Sequence, residues 1–163
     1  MSPATIHPTT GERIPQLVIL IGIQASGKTS FYREHFLGSH VRISLDLLRT
    51  RNREMAFLSL CLETRMDTVV DNTNPTAIER ARYIAPAKAA GFHVHGFYFQ
   101  SRVSDALARN AQRQGDARIP DVGVLGCAKR LELPSRAESF DQLSYVTMVP
   151  ISGFQIQEWN DGL

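Results

Sequence analysis

Residues 22–29, Gly22-Ile23-Gln24-Ala25-Ser26-Gly27-Lys28-Thr29, fit the pattern GxxxxGK[ST]. Such a loop can do phosphate chemistry. Its glycines let the backbone wrap closely around a phosphate, and successive N–H groups at the start of a helix attract the negative charge. In this pattern Lys28 reaches the β- and γ-phosphates of a nucleotide and Thr29 places its hydroxyl on Mg²⁺. The expected ATP contacts are Gly22, Gln24, Ala25, Ser26, Gly27, Lys28, Thr29 and the following Ser30. The loop alone does not distinguish a kinase from a nucleotide switch.

Other residues could complete a phosphoryl transfer. Asp46 follows a short predicted strand at Val41 and Ile43. Ligands bind beyond the carboxyl ends of parallel strands, so Asp46 shares a rim with the phosphate loop. A carboxylate there can take the proton of an attacking hydroxyl. Arg49, one helical turn on, has the fork geometry to clamp the transferring phosphate. Asp71 ends the apolar stretch Thr68-Val69-Val70. It is read in two ways, as a holder of metal-bound water or as a brace for its turn. Asn72, Thr73 and Asn74 read as turn and cap residues. Arg109 and Arg113 are four apart in a predicted helix, and like charges at that spacing are unfavourable without a partner. With the flexible Gln114-Gly115-Asp116-Ala117-Arg118 behind them, they suggest a lid that carries arginines over the phosphates. The competing reading is a solvated basic face. His93 and His95 lack a Cys or acid at metal spacing and read as structural.

These residues need a scaffold. Gln16 to Gly22 (QLVILIG) is a continuous run of branched apolar residues, which suits a strand buried on both faces of a parallel sheet. Thr29 to Leu37 forms a helix with Phe31 and Phe36 toward the core. Asp46 to Thr64 reads as one helix with Leu48, Met55, Leu58 and Leu62 on its apolar stripe. Arg51 falls in that stripe, so either the helix breaks near Asn52 or the arginine faces a polar cleft. Further strands are expected at Thr68–Asp71, His93–Phe99 and Val146–Val149. A helix should start at Asn74-Pro75, kink or end at Pro86 and finish before Gly91. Another should run from Ser104 to Gly115, and Ile119 to Ala128 reads as irregular. Phe97-Tyr98-Phe99 reads as core, and Trp159 as packing the end of the chain down. Strands alternating with helices give an α/β fold, a P-loop NTPase-type parallel sheet flanked by helices on both faces with a small helical lid.

The chain has 163 residues, enough for one domain, with 43% hydrophobic and 21% charged residues. That excludes disordered, collagenous and disulfide-scaffold classes. Residues 1–15 read as a flexible N-terminal tail without an apolar signal stretch, and 16–163 as the kinase domain. The run Leu17 to Ile21 is too short to cross a bilayer. Cys61 and Cys127 read as reduced thiols of a cytoplasmic protein. A formal charge of +2 permits a phosphate site without demanding a polyanion.

The chain resembles the polynucleotide 5′-kinase family of P-loop phosphotransferases, from about Leu17 to Val149. The most specific stretch is Asp71-Asn72-Thr73-Asn74-Pro75 with Arg80-Ala81-Arg82-Tyr83, continued by Asn110, Arg113, Ile119-Pro120 and residues 134–140 (PSRAESF). The resemblance implies transfer of the ATP γ-phosphate to the 5′-hydroxyl of DNA or RNA, with Mg²⁺. It implies Asp46 as base, Arg49 as phosphate clamp, and Arg109 with Arg113 as lid contacts. Arg42, Arg49, Arg51 and Arg53 would then contact acceptor phosphates. The compact segment between Arg49 and Asp71, with its run Arg49-Thr50-Arg51-Asn52-Arg53-Glu54, leaves a nucleoside, sugar or antibiotic hydroxyl as the alternative acceptor. A nucleotide-binding switch without phosphotransfer is the third reading.

Overall fold

Alternation along the central strand organises the molecule. In the computed structural model, which describes residues 13–151 and 153–161, β1 (Gln16–Ile21) is sealed on both faces. Leu17, Ile19 and Ile21 join one apolar cluster, and Val18 and Leu20 join another. A strand covered from two sides needs no polar face, which explains the unbroken apolar run.

The described residues form one six-stranded sheet in the order β2-β3-β1-β4-β5-β6. It contains β2 (Val41–Ile43), β3 (Thr68–Asp71), β4 (His93–Phe99), β5 (Gln142–Val149) and β6 (Gly153–Glu158) besides β1. The first five run parallel, with Ile19 beside Val70 on one flank and Gly96 on the other. β6 is antiparallel to β5. Helix α1 (Lys28–His35) covers one face through Phe31 and Tyr32. The other face is covered by α3 (Arg51–Glu63) and α4 (Ala77–Ala89), through Leu58, Tyr83, Ile84 and Ala87. Buried Phe97, Tyr98 and Phe99 are core residues, and Trp159 is buried against Tyr98. Both cysteines are free and buried.

Several elements differ from the sequence expectations. The expected helix from Asp46 to Thr64 is two, α2 (Leu45–Leu48) and α3. Arg49 ends α2 with φ 73°, and Thr50 is extended and caps α3 by accepting from the Arg53 N–H. A side-chain cap satisfies an amide that lacks a helical partner, so Thr50 is a start signal inside the apolar periodicity. The start of α4 is Thr76, not Asn74: Thr76 and Glu79 form a reciprocal capping box. The helix continues through Pro86 to Ala89, because buried Ile84 and Ala87 hold both sides of the proline against the core. The next helix, α5, spans Val103–Ala111 and begins at Arg102. Residues expected to be irregular form α6 (Asp121–Arg130). Gly123 and Gly126 lower its intrinsic propensity, but Val124 and Cys127 pack on Ile23 and Ala106, and burial prevails.

Residues 1–12 of the expected tail lie outside the described residues. Arg13 pairs with Asp67, and Pro15 accepts from the His93 N–H.

Candidate active site

The phosphate loop leaves the carboxyl end of β1 and turns into α1. Ala25 (φ 58°) and Gly27 (φ 99°) are both left-handed, which turns successive N–H groups into a concave nest for an anion. Gly27 is required twice over. Its φ disfavours a side chain, and an added Cβ would lie 3.0 Å from Met148 Sδ and 3.1 Å from Phe154 Cε1. The hairpin of β5 and β6 thus supports the loop from beneath. Asn74 ties the loop's root to the next strand by donating to Leu20 O at 2.7 Å.

Lys28 is buried beneath this loop. Its Nζ donates to Gly22 O at 2.8 Å and Ile23 O at 2.7 Å. Burial lowers its pKa to about 8, against the opposing pull of Asp71 and Asp46. Thr29 donates its hydroxyl to Asp71 Oδ2 at 3.1 Å. Arg42 reaches the same oxygen, with Nε at 2.9 Å and Nη2 at 2.7 Å. Arg42, grouped by the sequence with acceptor contacts, is therefore engaged with Asp71.

A cleft of about 280 Å³ opens above the loop. Gln24, Ala25, Gly27, Lys28, Thr29 and Ser30 of the loop and α1 line it. Asp46, Arg51, Asp71, Asn72, Asn74, Arg113 and Ile119 line it as well. Gly22 and Ser26 contribute to the loop from below. Arg109 donates to Ala25 O, so it touches the loop itself. Arg113 lies just past the end of α5, half-buried at the cleft rim. Asn110 is fully buried and clasps Ile119 through both its N–H and its C=O. That clasp folds the segment carrying Arg113 back on itself.

Arg49 and Arg53 are exposed and outside the cleft lining, whereas Arg51 is in it. The helix break at Arg49–Thr50 redirects the arginines, so the open choice for Arg51 resolves in favour of both a break and a cleft position. Sequence reading missed Glu54. It has no exposed surface, and it accepts from Arg51 Nη1 at 2.8 Å, Tyr83 Oη at 2.8 Å and Asn72 Nδ2 at 2.8 Å. Burial and the hydrogen bond to Glu54 push the Tyr83 hydroxyl up to about 12. A fully buried glutamate needs partners, but its alternation with arginines in the sequence hid it as an exposed charge run.

A GK[ST] loop joining the central strand to a helix, with an acid ending the neighbouring strand, defines a P-loop NTPase-type fold. The chain belongs to the AAA domain family, whose model matches residues 49–133. It is 23% identical over 151 residues to a "Bifunctional polynucleotide phosphatase/kinase" of Schizosaccharomyces pombe, covering 89% of this chain and 36% of that relative. The chain thus spans about a third of that relative's length. Its fold is similar to Kti12 from Chaetomium thermophilum in complex with ADP-AlF3 (TM-score 0.61, 16% identity, 80% of this chain and 88% of that one). It is also similar to a gluconokinase from Sinorhizobium meliloti 1021 (TM-score 0.57, 19% identity, 83% and 84%). Among the described residues no helix is long and apolar enough to cross a membrane.

Proposed function

We propose that the protein transfers the γ-phosphate of ATP to a hydroxyl acceptor, and that the acceptor is the 5′-hydroxyl of DNA or RNA. The observation that carries this reading is the placement of Asp46 in the same cleft as Lys28 and the Thr29–Asp71 pair. A base for an acceptor hydroxyl and a cradle for a triphosphate face each other there. The acceptor as a polynucleotide rests on the likeness to the yeast phosphatase/kinase.

In this mechanism the loop amides and Lys28 hold the β- and γ-phosphates. Asp46 accepts the proton of the acceptor hydroxyl as its oxygen attacks the γ-phosphorus. The bond from that phosphorus to the bridging oxygen breaks, and ADP leaves with the electron pair. Arg109 and Arg113 spread the charge of the transferring group and exclude water as the lid closes. Arg49, exposed one turn from Asp46, completes the set by swinging its side chain toward that group. The Thr29 hydroxyl and the Asp71 carboxylate are hard oxygen donors 3.1 Å apart, which suits Mg²⁺ held by Thr29, with Asp71 behind a bound water. When bound, Mg²⁺ offsets the charge of the β- and γ-phosphate oxygens. The two buried thiols fit a reducing, cytoplasmic setting.

The test is label transfer from γ-labelled ATP with Mg²⁺ to matched 5′-hydroxyl DNA and RNA oligonucleotides. Label should appear on the 5′ end and fall about 10²–10⁴-fold in Asp46→Asn, with Lys28→Ala equally inactive. The fold shared with a gluconokinase supports a second reading, a small hydroxyl compound as acceptor. ATP binding without oligonucleotide labelling, together with labelling of a sugar or nucleoside, would establish that reading instead.

A further inference from the structure

One carboxylate connects the two acceptor-side elements of the cleft. Glu54 Oε1 receives Arg51 Nη1 and the Tyr83 hydroxyl, and Oε2 receives Asn72 Nδ2. Asn72 then turns its own Oδ1 to the backbone N–H of Leu45 at 2.9 Å. Leu45 is the first residue of α2, and Asp46 is the next. That four-residue helix has no buried side chain, only Leu48 packing partly on the core, and ends at a left-handed Arg49. The Asn72 bond anchors its start beside the buried Ser44.

Arg51 is held in a complementary way. Its side chain is 42% exposed and Glu54's is fully buried. Glu54 and Tyr83 both take Nη1, which leaves Nε and Nη2 as further donors of a residue that lines the cleft. A guanidinium fixed at one nitrogen keeps a planar fork for an anionic group, with less ordering cost than a free arginine.

We infer that Glu54 is a positioning residue for the acceptor, setting the Asp46 turn through Asn72 and holding Arg51 as a fixed fork beside it. This inference rests on the phosphotransfer reading above. It separates two functions that meet in one cleft. The nucleotide side depends on the loop and α1, and the acceptor side on a buried anchor in α3. The acceptor it fits carries an anionic group near its reacting hydroxyl.

Three variants divide the anchor. Asn72→Ala cuts the path to Leu45 and leaves Arg51 held, so kcat should fall about tenfold with acceptor KM nearly unchanged. Arg51→Gln leaves the Asp46 turn held, so acceptor KM should rise about tenfold with kcat nearly unchanged. Glu54→Gln keeps the shape but weakens both paths, so both effects should appear while the Kd for ATP stays within about twofold. In Glu54→Gln the Tyr83 phenol, followed by its ultraviolet titration, should move down from about 12 toward 10.0. Equal losses on the ATP and acceptor sides in Glu54→Gln would make Glu54 a general fold residue and overturn the inference. So would unchanged acceptor kinetics in that variant while the wild type transfers phosphate. A wild type that labels no hydroxyl acceptor removes the functional reading, and this inference with it.

Discussion

Arg42 grips Asp71 through two nitrogens, Nε at 2.9 Å and Nη2 at 2.7 Å, on the oxygen that also receives the Thr29 hydroxyl. The guanidinium lies 5.5 Å from the centre of the Tyr32 ring, which holds it in place from α1. The acid at the end of β3 is therefore partly neutralised before any cation arrives.

Replacing Arg42 by methionine should strengthen metal binding. Removing a positive charge beside the proposed Mg²⁺ site lowers the repulsion the cation meets. The Mg²⁺ concentration giving half-maximal activity should fall about three- to tenfold in Arg42→Met. A rise, or no change, in a Mg²⁺ titration at fixed ATP would show that Asp71 does not feel the metal.

Nucleotide affinity should fall as the solution becomes alkaline. Burial lowers Lys28 to about 8, so the free protein loses this charge near that pH, while bound phosphates favour the protonated amine. The sign follows: binding takes up a proton above that pH and weakens as pH rises. ATP affinity, measured by calorimetry, should drop about tenfold between pH 7 and pH 9. A flat profile in that range would place the lysine amine away from the phosphates.

Acid should destabilise the fold through His95. Its ring is buried between β4 and β5, with Nε2 2.9 Å from Ser144 Oγ. Burial first, and His93 second, lower its pKa from 6.5 to about 4. The unfolded chain therefore binds the extra proton between those values, and stability falls as pH drops through 6.5. About 2 kcal/mol should be lost between pH 7.5 and pH 5. Urea unfolding of the wild type and His95→Gln at the two pH values isolates this share, which should vanish in the variant.

Arg80 should be among the costliest side chains to remove. It has no exposed surface. It forms a bidentate pair with Glu138 at 2.7 and 3.0 Å and donates to Asn74 O at 3.0 Å and Glu132 O at 3.2 Å. Arg80→Ala would leave a largely buried carboxylate and two carbonyls without their partner, a loss of about 3–5 kcal/mol. Denaturant unfolding should show it, and Glu138→Gln should cost less. A loss under about 1 kcal/mol would mean that water takes over these contacts.

The phosphate loop and the central strand were legible because each is local. A GK[ST] pattern after an apolar run needs no distant partner to be recognised. The proposed acceptor side was less legible, because its logic is tertiary. Thr50 interrupts a helix whose apolar spacing continues past it, and only the pairing of Glu54 with Asn72 and Tyr83 shows which charges face inward. Arg49 and Arg51 are two residues apart, and the break between them decides which one enters the cleft. α6 was missed for a related reason. Its glycines argue against a helix, and the argument for one lies in Ile23 and Ala106, far away in the chain.

The order of strands has a consequence for how the molecule is made. β1 lies between β3 and β4, so its two edges are closed by segments synthesised well after it, with Leu17 finally beside Thr68 and Val94. Of the pairings among the described strands, β5–β6 alone is an antiparallel hairpin, and it belongs to the far end of the sheet. A ribosome therefore releases the most apolar strand with both edges open and faces uncovered, and leaves it waiting for its partners. The segment 16–21 (QLVILI) has its sheet partners only once Thr68–Asp71 and His93–Phe99 have been made.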